Sequence, residues 1–67
     1  MTKEFVNKVF REMIVDTKKY RYIRKDCTGA AEQWFEIRRK PLADLDTAAD
    51  WVTVYDSRNA AEVQDAK

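Results

Sequence analysis

Two runs decide the fold: Tyr20-Arg21-Tyr22-Ile23-Arg24-Lys25, and Gln33-Trp34-Phe35-Glu36-Ile37-Arg38-Arg39, with Asp26-Cys27-Thr28-Gly29 following the first. Both alternate with period two and are rich in aromatic and β-branched residues, the pattern of paired β-strands. Asp26 and Gly29 stand at the first and fourth positions of a type I turn, and Gly29 is the one glycine available for a positive φ. For a hairpin hinged there to keep its faces consistent, opposed residue numbers must sum to an even value; a sum of 58, for example, sets Ile23 opposite Phe35 and Arg24 opposite Trp34. Ile23, Phe35 and Ile37 then share an aliphatic core face. Tyr20, Tyr22, Arg24, Trp34 and Arg38 share the other face, which is aromatic and basic where a solvated face is ordinarily just polar.

Before the hairpin, Phe5, Val6, Val9, Phe10, Met13 and Ile14 trace one stripe of an α-helix expected from Thr2 to about Lys19. A small sheet needs an element to cover its core face, and this helix is the natural one. After the hairpin, Pro41 ends the second strand, because it has no N–H to donate and restricts Lys40 before it. The connection from Leu42 to Asp50 is acidic and expected to hold a short helical turn, with Leu42 and Leu45 inward. Trp51-Val52-Thr53-Val54-Tyr55 is the clearest strand. Val52 and Val54 are expected on the core face, and Trp51, Thr53 and Tyr55 with the hairpin's aromatics. Asn59, with Glu62 three residues on, has the spacing of a capping box that opens a short C-terminal helix. The expected architecture over residues 1–67 is a single α+β domain, α-β-β-β-α: a helix, a three-stranded antiparallel meander and a short C-terminal helix.

A chain of 67 residues buries about 60% of its unfolded surface, so its stability is small and every large apolar residue counts. Net charge is +1, unevenly spread: residues 1–40 hold eleven Lys or Arg against six Asp or Glu, and residues 41–67 hold two against six. The two parts therefore carry +5 and −4, which makes the molecule dipolar. No apolar run approaches a membrane span, and the charged N-terminal residues do not read as a signal peptide, so no membrane association and a cytoplasmic location are expected. A lone Cys27 agrees with a reducing compartment.

Enzymatic chemistry finds few instruments here. There is no histidine, no Gly-rich phosphate loop and no nucleophile with an orienting base. Asp44, Asp46 and Asp50 have the first spacings of a calcium loop, but Ala49 stands where that loop turns on glycine and Tyr55 where it needs a bidentate glutamate. The expectation is no catalytic residue, no cofactor and no metal. What remains is recognition by Tyr20, Tyr22, Arg24, Trp34, Arg38, Trp51 and Tyr55. Trp, Tyr and Arg dominate the binding energy of protein interfaces. The expected function is thus a small modulator or inhibitor acting by protein–protein contact, a second copy of the chain counted among its partners. The alternative on the same face is RNA or single-stranded nucleic acid stacked on the aromatics. The weak net charge disfavours it, because phosphate neutralisation supplies most of such affinity. A competing structural account has the C-terminal helix or the 42–50 connection folding over the aromatics as a second core.

Overall fold

A computed structural model describes residues 1–58. The chain enters its helix through Thr2, whose backbone is extended and whose hydroxyl oxygen accepts from the Phe5 amide at 3.1 Å. That bond satisfies one of the amides a helix start leaves unpaired. Helix α1 runs Lys3–Glu12 and buries Val6 and Val9. It ends well short of Lys19. Met13 adopts φ 71°, and its amide donates back to the Val9 carbonyl at 2.7 Å. This turn redirects the chain, and Ile14–Asp16 forms a strand, β1, that the helical reading had absorbed.

Strands β2 (Tyr20–Thr28), β3 (Gln33–Pro41) and β4 (Val52–Asp56) follow, with a 3-10 turn at Leu42–Asp44 after Pro41. All neighbours pair antiparallel in the order β1-β2-β3-β4. The described residues are therefore α+β, with a meander of four strands in place of three. The expected C-terminal helix from Asn59 lies outside the described residues.

The β2–β3 register corrects the expected faces. Thr28 pairs with Gln33, Cys27 with Trp34, Arg24 with Ile37 and Ile23 with Arg38. Asp26, Cys27 and Thr28 stay in the ladder, and the turn is Gly29 to Glu32, closed by the Gly29 amide donating to the Glu32 carbonyl at 2.8 Å. Opposed residue numbers sum to 61 where the expected pairing sums to 58, and this odd shift reverses one strand's faces relative to the other, because side chains alternate with period two. Tyr20, Tyr22 and Arg24 consequently share the helix side with Phe35 and Ile37. Ile23 instead joins Trp34 and Arg38 on the opposite side. Gly29 has no positive φ. A Cβ there would instead be tight against its neighbour, 3.0 Å from Cζ3 of the Trp34 ring.

Between helix and sheet the fully packed core is small: Val6, Val9, Val15 and Ile37. Each such side chain contributes about 1.5–3 kcal/mol, so aromatic rings must extend it. Phe5 meets Tyr22 edge-on at 4.8 Å, and Phe10, Phe35 and Tyr55 form a row with centroids 4.8 and 5.6 Å apart. This explains the inversion of β2. Tyr22 gives the helix a larger apolar surface than Ile23 and keeps its hydroxyl at the rim, where it meets Arg39 at 3.4 Å. The β3–β4 register shifts between Ile37 and Arg38, leaving Val54 as the extra residue of a bulge. Val54 packs against the core as expected and Tyr55 joins it, whereas Val52 is 55% exposed.

Candidate functional site

The seven aromatic and basic residues expected on one face divide between two. Tyr20, Tyr22, Arg24 and Tyr55 lie on the helix side. There Arg24 is structural: one guanidinium nitrogen donates to the Phe10 carbonyl at 2.8 Å and its carbon sits 4.6 Å from the centre of the Phe10 ring, while Asp26 accepts from another nitrogen at 3.2 Å. A cation on an unpaired carbonyl of the last helical turn complements the helix dipole. Arg39 lies 4.1 Å over the Tyr20 ring. These contacts bind the sheet's β2 side to its helix and leave it little freedom to recognise anything else.

Trp34 and Arg38 come together on the face away from the helix, with neighbours that alternation assigns to the same side. The centre is Glu36. Its Oε2 accepts from the Trp34 indole N–H at 3.2 Å, and its Oε1 accepts from Arg38 at 2.9 Å and from the Thr53 hydroxyl at 3.3 Å. Glu36 also pairs directly across the ladder with Asp56, a like-charge juxtaposition that costs stability unless neutralised. Arg58 supplies the second cation, bidentate on Asp56 at 3.1 and 2.8 Å, with its guanidinium carbon 3.8 Å from the centre of the Trp34 ring. The donors hold both carboxyls below their ordinary values: Arg38 and then the Trp34 N–H for Glu36, Arg58 for Asp56.

The β3 end of this face is closed by the connection. Lys40 is buried, with its ammonium donating to the Thr47 carbonyl at 3.1 Å and lying 5.9 Å from the centre of the Trp51 ring. Trp51 thus sits at the margin of the Trp34–Arg38 cluster. Leu42 and Leu45 are half-buried, as expected of an inward-facing turn. Toward β1 the face continues with Ile23 and with Arg21, bidentate on Asp16 at 2.7 and 2.9 Å. Across from Trp34, Cys27 borders an open cleft of about 370 Å³ that also touches Phe10, Asp26 and Phe35.

Glu36, Asp56 and Arg58 were absent from the expected set. Glu36 could have been found, since period two places it between Trp34 and Arg38. Asp56 and Arg58 needed the β4 register, which a bulge conceals from sequence. No group of three His, Cys, Asp or Glu side chains is placed to hold a metal ion among the described residues, and no helix there is long and apolar enough to cross a membrane. Compared with protein families, curated proteins and solved structures, the chain matches none.

Proposed function

We propose that this chain is a non-enzymatic binding protein, a small modulator or inhibitor that acts by protein–protein contact through the sheet face away from the helix. Trp34, Arg38 and Trp51 remain its recognition residues, joined by Glu36, Thr53 and Arg58. Tyr20, Tyr22, Arg24 and Tyr55 serve the fold. The observation that carries this reading is the state of the arginines. Arg21, Arg38 and Arg58 are each held by a carboxylate on the same face, and Lys40 is buried against a carbonyl, which leaves the exposed Lys25 as the cation of that face with no ion pair among the described residues.

Such a surface offers indole, guanidinium planes and both signs of charge in fixed positions, the elements from which protein hot spots are built. For phosphate it is poorly disposed, since each arginine would have to leave its carboxylate before neutralising a backbone charge. The nucleic-acid alternative therefore loses support on this face. Fluorescence titration with single-stranded RNA and DNA at low and at physiological ionic strength tests the choice. The expected result is no saturable binding at physiological salt. Specific binding there, falling steeply with salt and weakened by Arg38→Ala, would overturn the protein-binding reading.

A further inference from the structure

Lys25 pairs across the ladder with Glu36 but makes no ion pair with it, because both Glu36 oxygens already accept from Trp34, Arg38 and Thr53. The other carboxylates of the face are committed as well, Asp16 to Arg21 and Asp56 to Arg58. Lys25 is therefore the charge that a partner reaches without breaking an existing pair. Two residues earlier on β2 stands Ile23, which pairs with Ile14 on β1, so both isoleucines belong to the same face as Lys25. Ile14 is 57% exposed, and neither isoleucine belongs to the packed core. Since β1 begins at Ile14, no strand stands on the outer side of Lys25.

We propose that Ile14, Ile23 and Lys25 form a docking corner of the recognition face for a protein segment that presents an aspartate or glutamate beside an apolar side chain. The carboxylate pairs with Lys25, and the apolar side chain covers Ile14 and Ile23. Lys25 and Ile23 stand about 7 Å apart along β2, so one short segment reaches both. Charge complementarity selects the sign of the partner. A basic segment would meet Lys25 with like charge and find each carboxylate of the face already paired.

A nucleic acid fits the corner less well. It would find one accessible cation where its backbone calls for a row of them, and branched aliphatic side chains give its bases no flat surface on which to stack. This inference rests on the protein-binding reading and adds to it the chemistry of the partner. The two can fail separately, because Arg38 belongs to the face but not to the corner.

Random peptides displayed on phage and selected against immobilised wild type supply the probe. The expected winners carry Asp or Glu within a few residues of Leu, Ile, Val or Phe. Binding of a synthesised winner, followed by fluorescence polarisation, should weaken up to about fivefold in Lys25→Met and in Ile14→Ser. Both positions are exposed, so both variants should keep the wild-type circular dichroism spectrum. Replacing the peptide's acid by its amide should weaken binding to wild type by a similar factor and leave binding to Lys25→Met unchanged, which couples the two groups directly. A selection that enriches nothing, winners without acidic residues, or winners indifferent to Lys25→Met would overturn the proposal. If winners indifferent to Lys25→Met are lost with Arg38→Glu, the docking corner fails and the recognition face stands. If they are indifferent to Arg38→Glu as well, the face fails with it. Saturable binding of single-stranded DNA that Lys25→Met abolishes would assign the corner to phosphate and likewise overturn the proposal.

Discussion

The Arg58 guanidinium lies over the Trp34 indole at 3.8 Å while its Nε–Nη2 edge is held by Asp56. The Cζ3–Cη2 edge of the same ring lies close against Gly29. Trp34 is thus fixed from two directions, by a stacked cation and by the absence of a side chain in the turn. Two variants separate these constraints. Arg58→Ala should lower the melting temperature, because it removes the stacked cation and leaves Asp56 without its cation opposite Glu36. In Gly29→Ala the new Cβ lies 3.0 Å from the ring, so the half-exposed indole must shift by a few tenths of an ångström. In a Trp51→Phe background, where Trp34 is the one tryptophan, both should shift the fluorescence emission. Unchanged emission in both would mean that Trp34 is not held in this position.

Glu36 makes the fold sensitive to acid. Its folded pKa is depressed below the ordinary 4.5, chiefly by Arg38. A depressed carboxylate stabilises the folded state fully above its unfolded pKa and ceases to do so as pH falls through the folded value. Melting temperature should therefore be flat from neutral pH down to about 5 and decline below it. Glu36→Gln should melt lower at neutral pH and show a shallower acid decline. Asp56 and Asp16, depressed in the same direction by Arg58 and Arg21, sustain the remaining slope. Melts recorded between pH 3 and 7 check it, and identical acid limbs for the two proteins would exclude Glu36 as a source.

Met13 holds the junction between helix and sheet in a conformation that L-residues avoid. Its φ of 71° is the one positive value among the described non-glycine residues, and the residue is 48% exposed. Such backbone strain costs about 1–3 kcal/mol, and a glycine returns roughly 0.5–1 of that through entropy. Met13→Gly should therefore stabilise the domain by about 1 kcal/mol. For a chain of this size that raises the melting temperature by about 4–8 °C. A lower melting temperature would show that the Met13 side chain contributes more than its strain costs.

The fold class was legible in the sequence because its signals were local. Thr2 before an apolar stripe marked the helix start, and period-two runs around Tyr22, Ile37 and Val54 marked three strands. Strand β1 escaped because Met13 and Ile14 continue the helical stripe, so only the unusual φ at Met13 separates the two elements. The division of faces escaped for a different reason. The strands alone accept an even or an odd pairing register, and the choice depends on whether Tyr22 or Ile23 packs under Phe5, a tertiary matter. One misplaced register moved Tyr20, Tyr22 and Arg24 to the wrong side while leaving Trp34 and Arg38 correctly placed with each other. Tyr55 was displaced by the bulge at Val54, which period-two counting passes over.

The claim that recognition belongs to the face away from the helix is tested most directly by comparing three immobilised baits in one cell extract. The baits are wild type, Arg38→Glu on that face, and Lys8→Glu on the exposed side of α1. All three should give the same circular dichroism spectrum before use. The account predicts a protein retained by wild type and by Lys8→Glu and lost by Arg38→Glu. A protein retained by Arg38→Glu and lost by Lys8→Glu would place recognition on the helix and contradict it.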